Sequence, residues 1–141
     1  NLLEIKGIGL KTVCGFIAEA GDLSRFDDPK QLQKLAGYAI VKNSSGKHAG
    51  ESHISYRGRK RLRYVLYEAA ISVIGKNGEF REIHRYYQTR DKNPLKKMQS
   101  VVAVACKVLR VFYAILTKGV DYDGEKMLRD IRRPEMSARA A

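Results

Sequence analysis

The sequence predicts a mainly α-helical domain interrupted by a small β-hairpin or loop insertion. Two stretches carry the helical signal. Leu62, Val65, Leu66, Ala69 and Val73 recur at intervals of three and four residues, as do Val101, Val104, Ala105, Val108, Leu109, Phe112, Ile115 and Leu116. The interruption is YAIVKN at 38–43, running into KNSSGKHAG at 42–50, which holds no core-forming side chain larger than alanine.

Taken in order, residues 1–5 read as the end of a helix begun upstream, Gly7-Ile8-Gly9 as a tight turn, and Leu10 to Ala20 as a helix stopped by Gly21. Asp28-Pro29 puts a proline at a helix start, and Leu32, Leu35 and Ala36 form the apolar face of a short helix ending at Gly37. Residues 38–43 read as a brief strand, and 44–53 as a loop able to form a hairpin with HISY at 53–56. A helix follows from Gly58. Asn77-Gly78 marks a turn, Glu79 to Arg90 a shorter helix, and Asn93-Pro94 the opening of the longest one, which Gly119 ends. Residues 121–132 read as a weak terminal helix within a helical remainder at 79–133. One domain is thus expected over 1–133, with a flexible tail at 134–141.

At 141 residues and 44% hydrophobic, the chain suits one folded domain with a modest core. Its 27 Lys and Arg against 15 Asp and Glu give a formal charge of +12, more than solubility needs, which points to a polyanionic partner and to nucleic acid first. No membrane partner is expected: no apolar run approaches the roughly 18 residues of a spanning helix, and Val101 to Leu116 is broken by Lys107 and Arg110. Cys14 and Cys106 lack zinc spacing and read as buried thiols in a reducing cytoplasm. His48, His53 and His84 form no compact ligand set, so no metal site is expected within the chain. The chain opens on Asn1 in mid-pattern, as expected of a piece of something longer.

LLEIKGIGLKTVCGFIAEAG at 2–21 joins an apolar run, Gly-hydrophobic-Gly, and a helix opening on Lys11 and Thr12. The glycines permit a sharp turn, and the helix start offers free N–H groups at its positive end, a geometry suited to phosphate. The pattern resembles the helix-hairpin-helix motif, here over 1–21, which grips the nucleic-acid backbone without reading bases. That resemblance makes Gly7, Gly9 and Lys11 phosphate-holding residues. The competing reading is a turn whose glycines only satisfy packing. A nucleotide-binding P-loop is discarded, since no glycine directly precedes Lys11 and the four-residue spacer is missing.

RGRKRLRYVLY at 57–67 opens the basic helix expected over 57–75 with Arg57, Arg59, Lys60, Arg61 and Arg63. At about 100° per residue, Lys60, Arg63, Tyr64 and Tyr67 project away from Leu62, Val65 and Leu66, leaving a basic face with interleaved aromatics. Cations at a helix N-terminus oppose the macrodipole, so an anionic partner accounts for them better than helix stability does.

The order of these features is a Gly-hydrophobic-Gly turn, DLSRFDDPKQLQKLAGYA, SSGK, then ISYRGRKRLRYVLYEAA. It resembles the C-terminal transposase domain of the insertion sequence one-ten family, the bridge-RNA-guided, serine-dependent recombinases. The likeness is close over residues 2–75 and loose beyond them. It implies that Ser45, directly before Gly46, is a catalytic serine attacking a DNA phosphodiester to form a covalent serine–DNA link, with Ser44 as the fallback. It implies DNA and bridge RNA as partners, a homo-oligomer (dimer or tetramer), and a cytoplasmic place on the DNA of a bacterium or archaeon. No cofactor is implied within this domain; Mg²⁺ is expected through an N-terminal resolvase-like domain that supplies the acidic residues. Two departures stand out: Ile40 where many relatives have proline, and Tyr56 where lysine often precedes the turn.

A serine hydroxyl is a weak nucleophile near neutral pH and needs a base, a metal or an electropositive setting. Near Ser45 only Lys47 and His48 are candidates to help, while Asp22, Asp27 and Asp28 are explained as helix starts and turns. The chain reads as half an active site, a serine loop at 42–53 among cations that include Lys47, and inert alone. The alternatives are a noncatalytic helix-hairpin-helix nucleic-acid-binding module and an assembly domain that packs through its long C-terminal helix.

Overall fold

The computed structural model describes the backbone of residues 1–45 and 48–131, and the side chains of 1–39 and 54–131. A 3-10 turn, Leu2–Glu4, leads into α1 (Leu10–Ala20); a second, Leu23–Arg25, leads into α2 (Pro29–Leu35). Two strands follow, β1 (Ile40–Ser45) and β2 (His48–Ile54), then α3 (Lys60–Lys76), α4 (Gly78–Thr89) and α5 (Lys97–Lys118). A further helix, α6, covers 124–131. The architecture is mainly helical, as expected.

α5 is the spine of the core. Val101, Val104, Ala105, Val108, Leu109 and Phe112 are buried along it, facing Leu62, Leu66, Ala69, Ala70 and Val73 of α3. Burying each side chain of Val or Leu size contributes about 2 kcal/mol, so this seam holds the two helices together. Phe16 of α1 closes it from one side, edge-on to Phe112 with ring centroids 5.0 Å apart. Gly119 ends α5 in a left-handed conformation, its N–H returning to the Ile115 carbonyl. By length and composition alone α5 could cross a membrane, but half of its apolar window is spent on this core.

Several expectations are corrected. Leu2–Glu4 form a 3-10 turn rather than α-helix, with the Asn1 side chain accepting from Leu3 N–H, and α1 follows the glycine turn. Residues 42–45 and 48–53 are strand rather than loop: β1 runs on through Ser45, and β2 begins at His48 rather than His53. α3 begins at Lys60, which leaves Arg57 and Arg59 on the segment before it. α5 begins at Lys97 rather than at Asn93-Pro94, because Asn93 takes a positive φ of 58° and Leu95 N–H bonds back to the Tyr87 carbonyl. Cys14 is exposed rather than buried, while burial lifts the Cys106 thiol to about 11. Asp22 and Asp28 do serve as caps, accepting from Ser24 N–H and Lys30 N–H. The Gly46-Lys47 pair and the expected tail at 134–141 lie outside the described residues.

Candidate nucleic-acid interface

β1 and β2 pair antiparallel. Ile40 faces Ile54, Val41 faces His53 and Lys42 faces Ser52; after an irregularity, Ser44 faces Ala49 and Ser45 faces His48. Ser45 is therefore the last residue of β1, in register with one of the two candidates for assisting it. Lys47, the other, lies outside the described residues.

Below the strands the two chain segments are tied into a neck. Ser55 N–H donates to the Ala39 carbonyl at 2.8 Å, Tyr56 N–H to Gly37 at 3.2 Å, and Arg59 N–H to Leu35 at 2.7 Å. Tyr38 anchors the neck from inside: it is buried, and its hydroxyl donates to the Arg63 carbonyl at 2.8 Å, with burial raising its pKa. The backbone passes so close here that a Cβ on Gly58, at φ +141°, would overlap the Leu35 carbonyl oxygen and meet Gly37 N at 2.8 Å. Tyr56 also takes a positive φ of 56°, a conformation that costs on the order of 1 kcal/mol for a non-glycine residue. The Arg63 guanidinium covers its ring at 5.2 Å.

Five cations line this end of α3, and the structure divides them. Arg57 and Lys60 are exposed. Arg59 donates to the Glu19 carbonyl at the end of α1, and Arg61 lies 3.9 Å from the Glu19 carboxylate while itself 89% exposed, an ion pair that contributes little. Arg63 is half-buried over Tyr56, and its Nη1 has no hydrogen-bond partner among the described residues. Arg59 and Arg63 thus join the basic cluster to α1 and to the neck, while Arg57, Lys60 and Arg61 face solvent.

The glycine turn sits at the other end of α3. Gly7, at φ +99°, brings its backbone against α3, where a Cβ would lie 3.1 Å from the Cα of Val73. Ser72 Oγ donates to the Gly7 carbonyl at 2.7 Å, and Asn77 Nδ2 to the Lys6 carbonyl at 3.1 Å. Asn77 is 2% exposed, and its other side-chain atom, Oδ1, caps α4 by accepting from Glu79 and Phe80 N–H. Gly9 differs: it is the N-cap of α1, has no side-chain cap, is exposed, and has open space where a Cβ would stand. Lys11 is exposed beside it. Gly7 therefore has a packing role, while Gly9, Lys11 and the uncapped start of α1 remain open to an anion.

These two regions are not brought together. α3 has 17 residues, about 25 Å at 1.5 Å per residue, and it separates them. Among the described residues no group of three or more His, Cys, Asp and Glu could hold a metal ion. His84 Nδ1 lies 2.7 Å from Ser100 Oγ, but Ser100 is fully buried and its hydroxyl also meets the His84 carbonyl at 3.1 Å, so this pair staples α4 to α5. Burial, and secondarily Lys97, keeps the His84 pKa low. Sequence reasoning missed Tyr38 and the neck, for which the available signal was Gly58 within Arg57-Gly58-Arg59, and it read Asn77 only as a turn residue.

The family model described as Transposase IS116/IS110/IS902 family matches residues 1–88, which take in the glycine turn, the neck, both strands, α3 and nearly all of α4. The chain belongs to this transposase family. Among the relatives, the insertion element IS116 uncharacterized 44.8 kDa protein of Streptomyces clavuligerus is 31% identical over 113 residues, covering 80% of this chain and 28% of that protein. Putative transposase y4rJ of Sinorhizobium fredii is 31% identical over 130 residues, 89% of this chain and 32% of its own length. The insertion element IS900 uncharacterized 42 kDa protein of Mycobacterium paratuberculosis is 28% identical over 116 residues, 82% of this chain and 28% of that protein. The chain thus spans between 28% and 32% of the length of these transposase-family relatives.

Proposed function

We propose that this chain is the serine-bearing, DNA-binding part of a transposase, and that Ser45 attacks a DNA phosphodiester. The observation that carries this reading is the neck: three backbone hydrogen bonds root the strand pair whose first strand ends in Ser45 onto the start of α3, next to Arg57 and Lys60. In the reaction the Ser45 hydroxyl loses its proton and an Oγ–P bond forms. One P–O ester bond to deoxyribose breaks, and the departing oxygen takes up a proton as a hydroxyl. Reversal of the same step by another strand's hydroxyl rejoins the DNA. Phosphoryl transfer depends chiefly on positioning and on neutralising the phosphate's charge. Arg57, Arg59, Lys60, Arg61, Arg63 and Lys47 supply the positive setting, while Gly9 and Lys11 hold backbone phosphate farther along. His48, paired in register with Ser45, is the base this reading favours.

The described residues do not fit a Mg²⁺ site: Asp22 and Asp28 are committed to backbone N–H groups as caps, and no carboxylate cluster accompanies them. In this reading acidic ligands, bridge-RNA binding and homo-oligomer contacts belong to a longer, cytoplasmic protein.

The test is trapping. With guide RNA and Mg²⁺, the longer protein should form a covalent adduct with DNA that vanishes in Ser45→Ala. An adduct persisting in that variant defeats the assignment. Recombination unchanged after replacing both Ser44 and Ser45 favours a noncatalytic binding module instead. If the five cations meet phosphates, duplex binding should show a log–log salt slope on the order of −4 to −5.

A further inference from the structure

Charge accounts for one side of α3 but not for the aromatic residues interleaved with it. Lys60, Tyr64, Tyr67 and Ile71 follow at intervals of four, three and four residues and share a face. On that face Tyr64 is 62% exposed and Ile71 46% exposed. α5 extends the strip: the Tyr67 hydroxyl meets Met98 Sδ at 3.9 Å, and Met98 is 57% exposed. Exposed cations border it, Lys60 and Arg61 at the start of α3, Lys96 and Lys97 beside Met98. Glu68 is the one acidic residue of α3.

From this strip we infer that α3 and the start of α5 form a binding site for single-stranded DNA, with an unpaired base stacked on the Tyr64 ring. The inference rests on the DNA-binding reading above and adds to it the state of the strand. An apolar strip edged by cations repels a second copy of itself and attracts a polyanion. A solvent-facing aromatic ring matches the face of an unpaired base, whereas a duplex hides its base faces and offers phosphates to the lysines alone. Strand exchange requires unpaired nucleotides, and this strip lies beside the basic cluster where the exchange is placed.

The test uses the 141-residue chain, fluorescently labelled oligothymidylate of about 12 nucleotides, and a duplex of equal length. Tyr64→Ala should weaken oligothymidylate binding roughly 5- to 100-fold. It should leave duplex affinity and both salt slopes in place, while Tyr64→Phe, which keeps the ring face, restores single-strand binding. An equal loss on duplex, no loss on either, or tighter binding of oligouridylate than of oligothymidylate would overturn the inference. So would self-association that Tyr64→Ala abolishes while single-strand affinity stays intact. If the unaltered chain binds neither oligothymidylate nor duplex, the DNA reading itself fails; if it binds both and Tyr64→Ala changes nothing, only the stacking site fails.

Discussion

The two ends of α3 solve the same packing problem in different ways. At its C-terminal end the glycine turn lies on the helix through neutral hydrogen bonds from Ser72 and Asn77, with one glycine pressed against the helix backbone and the other open. At its N-terminal end the neck is held by backbone-to-backbone bonds and by positive φ at Gly37, Tyr56 and Gly58, under a guanidinium that covers Tyr56. The turn is a scaffold with one free edge. The neck is a strained pedestal beneath the strand pair. Strain retained in this way points to a position worth holding.

Gly58→Ala should have the largest effect. Its Cβ would collide with the Leu35 carbonyl, a backbone atom that cannot step aside, and its φ of +141° disfavours any side chain. We expect a loss of about 3 kcal/mol in urea unfolding, or a displaced strand pair. The alternative outcomes are separated by hydrogen exchange at Tyr56 and Arg59. An unchanged urea midpoint with unchanged exchange would break the distinction drawn between the two ends. Gly7→Ala comes next, at about 2 kcal/mol, since its contact with Val73 is tight rather than overlapping. Asn77→Ala removes the cap of α4 together with the bond to Lys6, and should also cost about 2 kcal/mol. Asn77→Asp keeps the cap acceptor but loses the donor, so it isolates the share owed to the turn. A loss from Asp equal to that from Ala would show that the turn, not the cap, dominates.

Much of this was legible in the sequence because periodicity and punctuation are local. Leu10 to Ala20 with its Gly21 stop, the Asp28-Pro29 start, and the apolar faces of α3 and α5 all follow from spacing and caps. Local rules failed where a distant contact decides. The run 42–53 has loop composition, yet residues 42–45 and 48–53 pair as the antiparallel strands β1 and β2. At the candidate site the cations were evident as a run of types; their division was not, because Glu19 lies 40 positions from Arg59 and is brought to it only by the packing of α1 on α3.

The smallest expected change in stability is also the sharpest test of the turn's free edge. Gly9 sits at the N-cap of α1 in extended backbone, φ −103° and ψ 172°, with space for a side chain. A serine there would supply the missing cap by accepting from N–H groups of the first helical turn, and Gly9→Ser should stabilise the chain by about 0.3 kcal/mol. Those same N–H groups are the ones an incoming phosphate would use. If the open edge serves DNA, Gly9→Ser should therefore make the protein slightly more stable and a weaker binder of duplex, by a few-fold at low salt. Gly7→Ala should instead lower stability and binding together, through damage to the fold. A Gly9→Ser variant that gains stability and binds duplex as before would remove the start of α1 from the DNA contact and leave the α3 cations to hold the DNA alone.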